Sequence, residues 1–95
     1  PVFSLCADSE QHEKEQQVLK ALNETATYVA DVLINDQGYS RCDYNLTEGK
    51  WYDYEPPWQT GPAIYALTEA FRLTGEKNYI ETAVWAGDWW VGLEI

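Results

Sequence analysis

Residues 60–92 read Thr60-Gly61-Pro62-Ala-Ile-Tyr-Ala-Leu67-Thr-Glu-Ala-Phe-Arg-Leu-Thr74-Gly75-Glu76-Lys-Asn78-Tyr-Ile-Glu-Thr-Ala-Val-Trp85-Ala-Gly-Asp-Trp-Trp90-Val-Gly92. Two runs of helix-forming residues flank a short polar break. Pro62 suits the first turn of a helix, where its missing N–H is not needed. Thr74-Gly75 ends that helix, and the connection through Asn78 is so short that the next helix must fold back antiparallel. The second run spans about Asn78 to Gly92. Ile80, Ala83, Val84, Gly87 and Val91 form one apolar stripe on it, while Trp85 and Trp89 stack one turn apart on another side. Trp90 and Leu93 add to its apolar surface. A helix apolar nearly all round expects neighbours on several sides.

Upstream of this hairpin, Pro1 to Ala7 form a short apolar lead-in, and a helix is expected from about residue 9 to residue 36. Asp8 and Gln11 have capping-box spacing, and Glu10 and Glu13 favour the positive end of the helix dipole. Leu19, Leu22, Ala26, Val29, Ala30 and Leu33 recur at helical spacing. Asn35-Asp36-Gln37-Gly38 closes the helix, with Gly38 suited to a left-handed position. Between residues 38 and 60 the period changes. Tyr39 to Tyr44 and Lys50 to Tyr54 are short and aromatic, and Asn45-Leu-Thr-Glu-Gly49 separates them, so a small β-hairpin or a pair of extended arms is predicted. No linker composition divides the chain, which is expected to be one small domain of 95 residues.

The stretch Trp51-Tyr-Asp-Tyr-Glu-Pro-Pro-Trp-Gln-Thr-Gly-Pro62 carries the chemistry. Prolines 56 and 57 fix the backbone and push their predecessors toward extended geometry, which predicts a stiff loop presenting aromatic faces beside carboxylates. Flat aromatic faces stack on the CH-rich faces of sugar rings, and carboxylates and amides bind hydroxyls. Tyr52, Tyr54, Trp58 and Gln59 are therefore the candidate substrate-binding residues. Asp53 and Glu55 are the candidate catalytic pair. Residues i and i+2 on an extended strand lie about 6–7 Å apart, inside the roughly 5–10 Å that paired-carboxylate glycoside chemistry uses. The plainer roles stay open: carboxylates that cap turns, and a Trp58 that staples the start of a helix.

Sixteen acidic against six basic residues give a formal charge of −10, which disfavours nucleic acid and anionic membrane as partners. No stretch approaches the roughly 20 apolar residues of a membrane span. A basic segment followed by an apolar run is missing, so no signal peptide is expected, and the initial proline suggests a processed or trimmed product. His12 is the single histidine and has no partner at ligand spacing, so neither a metal nor another cofactor is expected. Cys6 and Cys42 could form one disulfide, and Asn23-Glu-Thr25 and Asn45-Leu-Thr47 fit the glycosylation sequon. A soluble protein is expected, with secreted and periplasmic locations left open.

The stretch from Gly61 to Trp90 resembles one repeat of the six-hairpin glycosidase superfamily. Ala66-Leu67, Thr74-Gly75-Glu76, Tyr79-Ile80, Ala83 and Asp88-Trp89 follow the order of that repeat. The similarity covers residues 58–92 well and residues 9–57 loosely, and the same type of turn occurs in epimerase-like and uronate-processing toroids. It implies an all-α fold, a partial (α/α)-toroid of about one and a half helical hairpins, with the aromatic excursion between helices 1 and 2 lining a sugar cleft. Such a cleft needs further hairpins. The resemblance therefore implies a homo-oligomer or a piece of a larger toroid, and a saccharide-contacting module without independent catalysis. If active, it would be glycoside hydrolase-like or uronate-processing. The rival reading is a helical-repeat interaction or self-associating scaffold module, since Gly61 to Ile95 is close to a tetratricopeptide repeat in length.

Overall fold

The computed structural model describes residues 2–52 and 55–93, with side chains described from Ser9 onward. Its elements are α1 (Val2–Tyr28), a π-helical turn (Val29–Leu33), β1 (Asp43–Asn45), β2 (Lys50–Tyr52), α2 (Pro56–Thr74) and α3 (Lys77–Val91). The chain is all-α with a short antiparallel β-hairpin between the first and second helices.

The first helix begins at Val2, well before the expected start at Asp8 or Ser9. Residues 2–7 contain no glycine or proline to stop it, so Asp8 sits inside the helix rather than capping it. Residues 9–18 are exposed on every side, and this half of α1 projects from the body. Its Gln11 Nε2 donates to Glu15 Oε1 at 3.2 Å, and further along α1 Lys20 Nζ lies 4.0 Å from Glu24 Oε1; exposed local pairs of this kind contribute little. Packing starts at Leu22 and is strongest at buried Ala26 and Ala30. The radius of gyration is 17.4 Å, against about 12.4 Å for a compact chain of this length. The accessible surface is 7077 Å², where a compact monomer of this mass exposes about 5,600 Å². The projecting helix accounts for the direction of both differences.

After Tyr28 the ladder widens to i→i+5, with Ile34 N–H donating to the Val29 carbonyl at 3.0 Å. Ile34 is then extended and Asn35 takes over as the capping group. Its Oδ1 accepts from the backbone N–H groups of Gln37, Gly38 and Tyr39 at 2.9, 3.0 and 3.2 Å. Gly38 has φ +103°, and a Cβ at this position would lie 2.7 Å from Trp85 Cδ1 and 2.8 Å from its Nε1. Only glycine lets this turn close against α3.

In the β-hairpin Tyr44 pairs with Trp51, their rings edge-on at 5.1 Å, and the Arg41 guanidinium lies 5.5 Å above the Trp51 ring. Asn45 Oδ1 accepts from Glu48 N–H at 2.9 Å and so shapes the turn. Cys42 precedes β1 and is half-buried, whereas the side chain of Cys6 lies outside the described residues.

The second helix begins at Pro56, so residues 56–59 are its first turn rather than the stiff non-helical loop predicted for them. The reason is positional. Prolines 56 and 57 occupy the first two helical positions, where no N–H is required and a φ near −65° is already helical. Pro62 sits seven residues into the helix instead of opening it. Thr60, fully buried, accepts from Ser40 N–H through Oγ1 at 2.8 Å, which fastens the loop after α1 to the base of α2.

Thr60, Ala63, Leu67 and Ala70 face the core from α2, and Tyr79, Ala83 and Ala86 face it from α3. The stripe expected on α3 is corrected in part: Ala83 is buried and Ile80 packs against the core, but Val84 and Val91 are 56% and 85% exposed. The alanines let the helices approach closely, and Tyr79 finds partners that an aliphatic residue could not. Its hydroxyl lies 3.0 Å from the Asn23 carbonyl, 2.9 Å from Asn23 Oδ1 and 3.1 Å from Thr27 Oγ1, joining α3 to α1. The α2–α3 turn closes as predicted, with Gly75 at φ 75° donating to the Phe71 carbonyl at 2.7 Å.

Candidate functional site

The sequence-predicted site residues fall on two elements. Tyr52 ends β2; Glu55, Trp58 and Gln59 belong to the start of α2; Asp53 and Tyr54 lie outside the described residues.

Glu55 is the N-cap position of α2, with φ −136° and ψ 54° and no capping hydrogen bond from its side chain. Its carbonyl accepts from Gln59 N–H at 3.2 Å. A carboxylate here is favoured by the positive end of the helix. Trp58, one turn on, is 74% exposed. The helix holds its backbone, so ligand stacking has only the side-chain rotamers of the indole left to order. Gln59 beside it is also exposed.

Beneath Trp58 lies an apolar hollow of about 400 Å³ lined by Pro57, Trp58, Gly61, Pro62 and Trp90. Trp90 comes from the far end of α3. A Cβ on Gly61 would stand 3.5 Å from its Nε1, so the indole is seated directly against the α2 backbone. The patch therefore joins two indoles and two pyrrolidines into a continuous surface at the N-terminal end of α2, with Glu55 and Gln59 on the same turn as Trp58.

From the sequence, Trp90 belongs to the core or an interface, and its pairing with Trp58 is missed. A signal existed. Gly61 lies 14 residues before Gly75 and Trp90 lies 14 residues after Glu76. Antiparallel helices of equal rise bring positions equidistant from their turn side by side.

Tyr52 is engaged within its own hairpin. Its hydroxyl donates to the Glu48 carboxylate, and the Lys50 ammonium lies 5.1 Å from its ring centre and 3.3 Å from Glu48 Oε2. The bond to Glu48, and to a lesser degree desolvation, holds the phenol above its ordinary pKa. One face of the ring is thus covered by a cation, and the hydroxyl is already committed.

Among the described residues no group of three or more His, Cys, Asp or Glu side chains is gathered that could hold a metal ion. No described helix is long and apolar enough to cross a membrane. Set against protein-family models, curated proteins and solved structures, the chain matches none of them.

Proposed function

We propose that this chain is a carbohydrate-contacting α/α module in which the first turn of α2 offers a stacking platform and performs no catalysis on its own. The observation that carries this reading is the exposed Trp58 above the hollow it shares with Trp90. Sugar rings bury a CH-rich face on indole, and Glu55 and Gln59 at the platform edge supply an acceptor and a mixed donor–acceptor for ring hydroxyls. The resemblance of Gly61 to Trp90 to a toroid repeat supports the same reading. A single exposed platform without an opposing wall fits a module that binds rather than cleaves.

Titration with neutral oligosaccharides and uronic acids, read by tryptophan fluorescence, tests the platform. At least one ligand should perturb the emission saturably, and Trp58→Ala should remove the part of the response that Trp85→Ala leaves, with the melting temperature within a few degrees of wild type. If no sugar perturbs the wild-type chain, or if Trp58→Ala binds as well as wild type, the platform reading is wrong.

A second reading, a self-associating or partner-binding helical module, is favoured by a different observation. Val84, Trp85 and Val91 stand exposed on α3, and exposed large apolar side chains gathered on one element mark interaction surfaces. Sedimentation at micromolar concentration separates the two, because a clean monomer removes self-association and leaves the platform untouched.

A further inference from the structure

A second hollow, of about 260 Å³, lies along α3 on residues that the Trp58 platform does not use. Ala30 and Ile34, both buried, line it from the π-helical turn and the residue that ends it. Asn78, Glu81, Thr82 and Trp85 follow one another on a single face of α3 and form one wall; Asn35 faces them from the turn after the π-helix. Asn78 Nδ2 donates to Asp31 Oδ1 at 3.3 Å, which ties α3 to the π-helical turn at the edge of the hollow.

One of these side chains is held in place by contacts that owe nothing to the hollow. Asn35 Oδ1 already accepts three backbone N–H groups, so the orientation of its amide is fixed and Nδ2 is the group left to donate. Trp85 rests with its Cδ1–Nε1 edge over Gly38, at a spot that any larger residue would invade. A preorganised donor beside an exposed aromatic ring suits a small polar ligand, because the ordering cost of the donor is already met in folding.

We propose that this hollow binds one neutral, pyranose-sized sugar ring. The Trp85 indole takes the CH face of the ring. Asn35 Nδ2 and the Asn78 amide donate to hydroxyl oxygens, the Glu81 carboxylate accepts from a hydroxyl, and Thr82 does either. The volume lies below the roughly 300–1,000 Å³ of sites for larger ligands, so the hollow itself takes about one ring. Glu81 and Asp31, within a molecule of formal charge −10, repel uronates and sugar phosphates. The site shares a broad ligand class with the Trp58 platform but none of its residues, and it stands or falls separately.

The test is an NMR titration of the full chain at low ionic strength with the methyl glycosides of glucose, galactose, mannose and N-acetylglucosamine, and with glucuronate as the charged counterpart. At least one neutral glycoside should shift the Trp85 indole N–H and the Asn78 side-chain amide saturably. Glucuronate should bind at least about threefold more weakly, from Coulomb repulsion across a hydrated site. Asn78→Ala and Trp85→Ala should abolish the response, Trp58→Ala should leave it intact, and Glu81→Gln should narrow the gap between glucuronate and the neutral sugar. The proposal is overturned if no neutral glycoside shifts these resonances, if glucuronate binds as tightly as the best neutral ring, or if the response vanishes with Trp58→Ala instead.

Discussion

Replacing Gly38 with alanine tests the way the turn after α1 closes on α3. The backbone there has φ +103°, outside the range an L-residue adopts without strain, which costs about 1–2 kcal/mol. The new methyl would also stand 2.7 and 2.8 Å from Trp85 ring atoms and 3.1 Å from Trp89 Cβ. Overpacking of this kind costs about 1–3 kcal/mol. Trp85 is 54% exposed, so its ring can swing outward, which limits the steric part to what its packing is worth. The sum is about 2–4 kcal/mol, or a fall of roughly 10–25 °C in melting temperature for a chain of this size. Gly75→Ala provides the control, since the backbone there has φ 75° and an added methyl would meet nothing within 4 Å; it should cost only about 1 kcal/mol. Urea denaturation of both variants, with and without Trp85→Ala, isolates the clash as the non-additive part of a double-mutant cycle. Rescue should be partial, because the approach to Trp89 Cβ remains. If Gly38→Ala is no worse than Gly75→Ala, or Trp85→Ala relieves nothing, the steric account is refuted.

Thr60→Val removes the acceptor for Ser40 N–H and leaves that donor buried, so stability should fall by about 1–3 kcal/mol in urea with no change in slope; an unchanged midpoint would show that the loop is held elsewhere. Tyr79→Phe keeps the ring and loses the hydroxyl that reaches Asn23, at a cost of about 1 kcal/mol, measurable as a shift in denaturation midpoint. The Tyr52 phenol, held above its ordinary pKa of 10.0 by Glu48, should titrate late by NMR, and Glu48→Gln should bring it down. Because the folded pKa is raised, the contribution of this bond to stability is fully present below pH 10 and is lost as pH climbs through the folded value.

The α2–α3 hairpin is legible in the sequence because its signals are local: Thr74-Gly75 marks a stop, the connection is short, and each flanking run is a good helix former. Boundaries are less so where one residue type serves two states. Prolines 56 and 57 break a helix interior but open a helix at its first turn, and nothing nearby in the sequence distinguishes the two. The buried face of α3 is hidden because Val84 and Val91 outrank Ala86 in hydrophobicity, although close helix packing selects the smaller side chain. Trp58 stands out from its own neighbourhood. Trp90, Asn35 and Trp85 do not, because each gains its place in a hollow from a residue many positions away.

The freestanding half of α1 has a consequence for how unfolding is observed. Residues 9–18 are exposed on every side, and a helical segment so short is marginal in water unless propagated from a stable end. All five tryptophans lie at position 51 or beyond, so indole emission reports the packed hairpins and is blind to this segment, whereas far-ultraviolet circular dichroism counts it. The two signals should part company on heating, with ellipticity declining before emission changes. A melting curve taken from ellipticity alone would then describe two processes as one, and the packed body would look less cooperative than it is.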